Sequence, residues 1–148
     1  MNRREMLIGA GAGLAALFTS NAFAISHEKG KKTGHGYAKK FENLVDSGLN
    51  CLKKGEACIQ HCLAHFGDTS LAECAASVQE MMPVCATLAK LASYESKHLK
   101  DYLQFCIKVC NDCEKACRVH EATHVPCKEC ADACANCAKQ CEKVLATL

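Results

Sequence analysis

The chain has 148 residues, which is enough for one domain with a single hydrophobic core. Its formal net charge is only +2, so no strong field is available to attract nucleic acid or an anionic membrane. Cysteine is the exception in the composition, with 14 residues against 2 prolines. That density in a short chain is typical of a disulfide scaffold or of a metal site.

Residues 1–24 have the pattern of a signal peptide. Two adjacent arginines precede a Gly- and Ala-rich apolar run, and the segment ends in the small-x-small cleavage signal Ala22-Phe23-Ala24. The run is too short to span a membrane. The arginine pair resembles a twin-arginine signal, and an ordinary secretory signal is the alternative. Both predict export, so the protein is expected in the periplasm or otherwise outside the cytosol.

Residues 25–38 are polar and rich in Gly and Lys, which predicts a flexible leader. Residues 39–148 are expected to form one four-helix domain. The helices are predicted from about Lys39 to Phe66, from after Asp68-Thr69-Ser70 to Ser93, from Ser96 to Thr123, and from Pro126 to Ala146. Thr69 or Ser70 is expected to cap the second helix, which Pro83 should bend or deprive of one backbone hydrogen bond. The short connections predict an all-α, antiparallel up-down-up-down four-helix bundle.

The cysteines fall on one stripe of each predicted helix. At 100° per residue, those of the third helix span about 60° and those of the fourth about 80°. The opposite faces carry Lys and Asp side chains, so the cysteine stripes are expected to face the interior. The predicted lining of the core is Cys51, Cys58, Cys62, Cys74, Cys85, Cys106, Cys110, Cys113, Cys117, Cys127, Cys130, Cys134, Cys137 and Cys141.

Three interpretations of these cysteines compete. Single buried cysteines often act as small apolar residues, but four stripes of them are too many for that role. A disulfide-stapled structural module is the second interpretation, although i,i+3 and i,i+4 pairs on one helix rarely reach the required dihedral angle. Metal binding is favoured, because the Cβ atoms of i,i+4 pairs lie about 5–6 Å apart and two sulfurs can converge on one ion. An enzyme of the thiol oxidoreductase type needs an exposed low-pKa CxxC pair, and the inward stripes argue against one.

Thiolates without carboxylates select soft metals, namely Cu(I), zinc or iron–sulfur clusters. A Cys₄ zinc site carries a net charge of about −2, and the stripes hold no Lys or Arg to balance it. One Cu(I) per thiolate leaves no net charge, so the sequence favours Cu(I). A zinc ribbon built on Cys110, Cys113, Cys127 and Cys130 has a short inner gap. The cysteine spacing of the last helix also departs from that of a ferredoxin cluster.

Three stretches resemble bacterial copper storage proteins, a family of cysteine-rich four-helix bundles: CLKKGEACIQHCLAHF, VCATLAKLAS and CKECADACANCAKQCEKV. The resemblance covers roughly residues 40 to 145. It implies storage of many Cu(I) ions per bundle, a homotetramer, and a twin-arginine signal in exported members. It also implies delivery of copper to a copper enzyme outside the cytosol, with copper donor or acceptor proteins as compatible partners. General sequestration of soft metals (Zn, Cd, Ag and Cu) is the alternative function.

The resemblance also implies a mouth at one end of the bundle, where exported family members carry a histidine with several methionines. His61 matches that histidine, and His65 stands about where a methionine is expected; both are candidate metal ligands. The bundle topology places His120 and His124 at the same end, without deciding whether they bind metal. Met81 falls in the inward column, where core packing is favoured over ligation. An apolar plug is expected at the opposite end, formed by Leu88, Leu91, Leu99, Leu103 and Leu145.

Overall fold

The computed structural model describes residues 39–65 and 67–148, so the predicted signal peptide and leader lie outside the described residues. The described chain contains four α-helices and no strand. A 3₁₀ turn at Lys39–Phe41 leads into α1, and another at Thr69–Leu71 leads into α2. The helices are α1 (Glu42–Ala64), α2 (Ala72–Ser93), α3 (Leu99–Arg118) and α4 (Val125–Leu145).

The helices form an antiparallel bundle, as predicted. Each helix packs extensively against two neighbours, in the closed order α1, α2, α3, α4 and back to α1. The cysteine contacts between α2 and α3 give the direction: Cys74 near the start of α2 meets Cys117 near the end of α3, whereas Cys85 meets Cys110. No helix of the described residues is long and apolar enough to cross a membrane.

Three details of the helix boundaries differ from the prediction. The carboxylate of Asp68, rather than Thr69 or Ser70, accepts the capping hydrogen bond, which Ser70 N donates at 3.0 Å. The helix predicted from Ser96 begins only at Leu99, because α2 ends in a Schellman turn. In that turn Ser96 N donates to Leu91 O at 3.0 Å and Glu95 adopts a left-handed φ of 48°.

Helix α3 ends at Arg118, not at Thr123 as predicted. Residues 119–124 form a compact turn in which His124 N donates to His120 O at 2.9 Å. At Pro83 helix α2 continues without a break. The proline nitrogen carries no hydrogen, so only the backbone bond to the carbonyl four residues earlier is lost.

Two glycines allow α1 and α2 to approach closely. A Cβ added at Gly48 would lie 3.0 Å from the backbone oxygen of Cys85, and one at Gly55 would lie 2.9 Å from Met82 Cγ. Met81 is fully buried, and its Cε would be 3.2 Å from the same Cβ at Gly55. Met81 therefore packs in the core against α1.

Hydrocarbon side chains close the end of the bundle near the α2–α3 turn. Of the expected plug, Leu88, Leu99 and Leu103 are buried, whereas Leu91 and Leu145 are half-buried and pack against the core. Three further buried residues, which were not predicted from the sequence, come from the 3₁₀ turn and the first turn of α1: Phe41, Leu44 and Val45. These eight residues are called the apolar end below.

Candidate metal centre

All fourteen cysteines are buried and unpaired, and the fold directs them into one interior column. Among the described residues, five groups have Sγ atoms that lie within 4.8 Å of one another. Every cysteine belongs to at least one group. The groups are Cys58/Cys62/Cys74/Cys127, Cys58/Cys117/Cys130, Cys113/Cys130/Cys134, Cys51/Cys85/Cys110/Cys137 and Cys106/Cys137/Cys141. The fourteen residues are called the thiol column.

The groups are joined to one another along the column. Cys58, Cys130 and Cys137 each belong to two groups. Cys134 faces both halves: its Sγ lies within 4.8 Å of those of Cys113 and Cys130. Interaction with Cys110, the largest cause, and with Cys51 in the other half raises the pKa of its thiol. Thiols therefore extend without a gap from the end near the α1–α2 turn to the apolar end.

Short contacts between helices define this arrangement. The Sγ atoms of Cys74 and Cys117 are 3.3 Å apart, and those of Cys85 and Cys110 are 3.7 Å apart. One pair on a single helix, Cys106 and Cys110, has a separation of 3.9 Å. The predicted i,i+4 convergence is therefore present, and contacts across the bundle supplement it.

The two rival cluster types do not match the grouping. The four cysteines of the zinc-ribbon alternative do not share one group: Cys113 and Cys130 lie together, but Cys110 belongs to a second group and Cys127 to a third. The closely spaced cysteines of α4 are likewise divided among groups completed by other helices. The column is thus one extended array of thiols and not a set of four-cysteine sites along the sequence.

In the part of the chain that the structure describes, no Lys or Arg is buried beside the column to balance its charge. Among the described residues, Ser47 is the only buried polar side chain. Its hydroxyl donates to Leu44 O at 2.8 Å and lies 3.8 Å from Cys137 Sγ. Because ionised thiolates without a counter-charge are costly to bury, the interior favours a monovalent metal that neutralises each thiolate.

Burial acts most clearly on the thiols near the α1–α2 turn. Desolvation, followed by the charges of Cys58 and Cys74, raises the pKa of Cys62 to about 12. Desolvation likewise raises the pKa of Cys127. Without metal, Cys62 is therefore protonated at neutral pH, and a metal ion bound there must displace its proton.

Histidines cluster at the end of the column opposite the apolar end. His61 Nε2 and His124 Nδ1 are 2.7 Å apart, and His65 Nδ1 donates to the backbone oxygen of His61 at 2.8 Å. The ring centroids of His61 and His65 are 4.2 Å apart, and those of His120 and His124 are 6.0 Å apart. These four residues are called the histidine mouth.

The mouth can present imidazole nitrogens to a metal. The hydrogen bond from His65 Nδ1 leaves its Nε2 with a free lone pair. His61 and His124 share one hydrogen bond, so one of the two rings also keeps an acceptor nitrogen. The structure thus brings together the predicted ligands His61 and His65, and it adds His124, which the sequence left undecided.

Arg118 holds the turn that carries two of these histidines. Its guanidinium contacts Glu114 at 3.1 Å, Glu121 at 2.9 Å and Asp132 at 2.6 Å. The three carboxylates come from α3, from the α3–α4 turn and from α4. This network fixes the position of His120 and His124 relative to the first turns of α4.

Comparisons with known proteins agree with this geometry. The family model described as copper storage protein matches residues 37–146. The Cu(I)-bound copper storage protein BsCsp3 is 28% identical, with a TM-score of 0.67, over 71% of this chain and 97% of that chain. A cytosolic copper storage protein from Streptomyces lividans with five coppers has a TM-score of 0.70 and 27% identity, over 74% and 94%. The cysteine-rich protein YhjQ of Bacillus subtilis is 29% identical over 105 residues, which are 71% of this chain and 95% of that protein.

The histidine mouth predicts an unusual titration of His61. Burial, followed by the charges of His65 and His124, lowers the pKa of His61 below its ordinary value of 6.5. As the pH falls, the ring therefore stays neutral longer than a free histidine does, and its protonation opposes folding. We expect the His61 ring signals in NMR of the metal-free protein to titrate with a midpoint below 6.5.

Removing one of the neighbouring charges supplies the control. The variant H65Q should move the His61 midpoint upward, whereas H98Q, at an exposed position near the α2–α3 turn, should leave it unchanged. A midpoint that is the same in the protein and in H65Q would contradict the described cluster.

Proposed function

The chain belongs to the copper storage protein family, and we propose that it stores about one Cu(I) per cysteine in the thiol column. The observation that carries the proposal is the grouping of all fourteen thiols, in which every cysteine has at least two other Sγ atoms within 4.8 Å. An array of this kind lets each thiolate bridge neighbouring ions. Storage is a non-catalytic role, and burial of the thiols is unlike the exposed CxxC pair of a thiol oxidoreductase.

Charge supports Cu(I) over zinc as the stored metal. Each Cu(I) that replaces a thiol proton leaves the buried charge unchanged, however many ions are bound. Each Cys₄ zinc site would add about −2 to an interior whose described residues include no buried Lys or Arg. Soft thiolate ligands also suit Cu(I).

Coordination geometry supports the same choice. Cu(I) accepts two or three sulfurs, and three of the five groups contain three cysteines each. Tetrahedral zinc requires four ligands for every ion. The shared residues Cys58, Cys130 and Cys137 suit a chain of bridged ions better than isolated centres.

The histidine mouth is proposed as the entrance to the column, with His61 and His65 as metal ligands. His61 directly precedes Cys62 in α1, and the charge of Cys74 acts on its pKa, so imidazole and thiol ligands adjoin at this end. A metal ion held by an imidazole nitrogen can therefore pass directly to a neighbouring thiol at this end of the column. The apolar end offers hydrocarbon instead of ligands.

Export of the protein is proposed from residues 1–24 alone. Structural relatives include a cytosolic protein, so family membership is compatible with either compartment. The homotetramer and the copper donor or acceptor proteins implied by the resemblance are proposals of the same kind. If the protein is exported, its copper serves enzymes outside the cytosol.

The storage capacity can be measured by an anaerobic titration of the reduced mature protein, residues 25–148, with Cu(I) and a Cu(I)-specific chelator as competitor. We expect the protein to outcompete the chelator until on the order of 14 ions are bound, one per thiolate. Saturation after one or two ions would contradict storage. An excess of Zn(II) or Cd(II) tests general soft-metal sequestration, and displacement of most Cu(I) would favour that alternative.

The role of the mouth can be separated from that of the column by kinetics. In the double variant H61A/H124A, uptake from a buffered Cu(I) donor should slow about tenfold, which corresponds to about 1.4 kcal/mol on the barrier. The final capacity should not change. The variant H98A is the control, and equal uptake rates in both variants would exclude the mouth as the entrance.

The export signal can be tested in cells. Replacing Arg3 and Arg4 by lysine keeps the charge but should leave the chain inside the cytosol if the twin-arginine route is used. Continued export of this variant would indicate an ordinary secretory signal. Retention of the unchanged chain in the cytosol would contradict export itself.

A further inference from the structure

One cysteine of the column differs from the others in its exposure. The side chain of Cys62 is 7% exposed, whereas each of the other thirteen is 0% exposed. Cys62 lies in the last turn of α1 and shares a group with Cys58, Cys74 and Cys127. It is therefore the point at which the column reaches the surface.

A cavity leads to this thiol. It has a volume of about 420 Å³ and lies between the end of α1 and the start of α2, with Cys62 in its wall. Leu63, Leu71 and Ala75 supply apolar surface, and Asp68 lines it as an exposed carboxylate. The residues of the histidine mouth do not line this cavity, so the described part of the chain has two separate approaches to one end of the column.

We propose that this cavity is an exchange site, in which a small neutral thiol removes Cu(I) from the column through Cys62. The proposal rests on the storage function proposed above and adds a route for release. The ligand class follows from the site: bound Cu(I) is exchanged by soft sulfur donors, the walls are apolar, and the carboxylate of Asp68 disfavours anions.

The exchange is a pair of ligand substitutions without electron transfer. A first thiol molecule binds Cu(I) through its sulfur, the bond from Cu(I) to Cys62 breaks, and the proton of the incoming thiol passes to the Cys62 sulfur. A second thiol molecule, which keeps its proton, displaces the remaining cysteine, and the thiolate of that cysteine stays bound to the neighbouring Cu(I). Cu(I) leaves as a neutral complex with one thiolate and one thiol, and one cysteine regains its proton for each ion lost.

Exposure alone predicts a first test on the reduced, metal-free protein. Under anaerobic conditions, a neutral maleimide should modify one thiol much faster than the rest, and peptide mass spectrometry should locate it at Cys62. The other thirteen thiols should react only as the bundle unfolds. Simultaneous modification of many thiols, or a first modification elsewhere, would overturn the proposal.

Release from the Cu(I)-loaded protein is the decisive measurement. Dithiothreitol is the probe, and an anionic chromophoric Cu(I) chelator reports the ions that appear in solution. The variant C62S should release Cu(I) at least about tenfold more slowly in dithiothreitol, equivalent to about 1.4 kcal/mol on the barrier. The matched variant A64S changes an exposed position in the same last turn of α1, outside the thiol column and the cavity, and should release copper at the rate of the unchanged protein.

A second pair of variants leaves every thiol in place. In A75F the phenyl ring projects into the cavity and should slow release without changing capacity. The variant A76F, at the neighbouring exposed position of α2, should leave both release rate and capacity unchanged. Equal release rates in the unchanged protein, C62S and A75F would overturn the exchange site. So would equal slowing in C62S and A64S, or release that is independent of dithiothreitol concentration.

The capacity measured before each release experiment keeps the two proposals distinguishable. A column that holds only one or two ions would contradict storage itself. If C62S binds the full number of Cu(I) ions but releases them at the rate of the unchanged protein, the exchange site alone is contradicted.

Discussion

The bundle depends on the burial of fourteen thiols, and the described residues supply no buried charge to balance them. An ionised group in a low-dielectric interior requires a counter-charge, and the described interior offers only the hydroxyl of Ser47 besides the thiols. Protons fill this role in the metal-free protein, and Cu(I) can replace them one for one. The column is therefore neutral when empty and neutral when full, so loading requires no change in the charge of the fold.

The same requirement explains how the rest of the bundle is built. Thiols contribute less apolar contact than leucines do, so the helices must approach one another closely elsewhere. Gly48 and Gly55 bring α1 against α2, and buried alanines in α4 (Ala131, Ala133 and Ala138) flank the cysteines. Larger side chains are concentrated at the apolar end, where burying each Leu or Val contributes roughly 1.5–3 kcal/mol. Stability and metal exchange are thus assigned to opposite ends of the molecule.

Much of this arrangement could be predicted from periodicity. The four helices, the inward cysteines and the position of the histidines follow from residue spacing, and the structure confirms the all-α bundle. The helix ends were less predictable: the start at Leu99 depends on the turn at Glu95, where a residue other than glycine takes a left-handed conformation. A capping side chain was predictable in this segment, since Asp and Ser are both good N-caps. Which of them caps the helix depends on the backbone conformation of the turn.

Other features depend on contacts between helices, so the spacing of residues along one helix does not predict them. The bond between His61 and His124 joins α1 to the turn before α4, and such a contact depends on how the helices are aligned. The exposure of Cys62 depends on the same alignment, since its position on the wheel matches that of Cys51 and Cys58 to within about 20–40°. Residue spacing predicts that a cysteine faces inward, but the packing of neighbouring helices and turns determines how much of its side chain remains exposed.

These features together give the column a direction. The shared cysteines within each half, and Cys134 between the halves, would let an ion that enters at one end move from thiol to thiol without leaving sulfur coordination. The histidine mouth and the cavity at Cys62 both open at that end. The eight residues of the apolar end carry no metal-ligating side chain, and the cavity of about 300 Å³ beside Phe41 and Leu99 is lined by no cysteine. If copper enters and leaves by the proposed routes, ions near Cys58 and Cys62 are the last to be stored and the first to be lost. The sites around Cys106 and Cys141, beside the apolar end, form the slowly exchanging reserve. A single closed end is therefore what makes the bundle a store instead of a channel for copper.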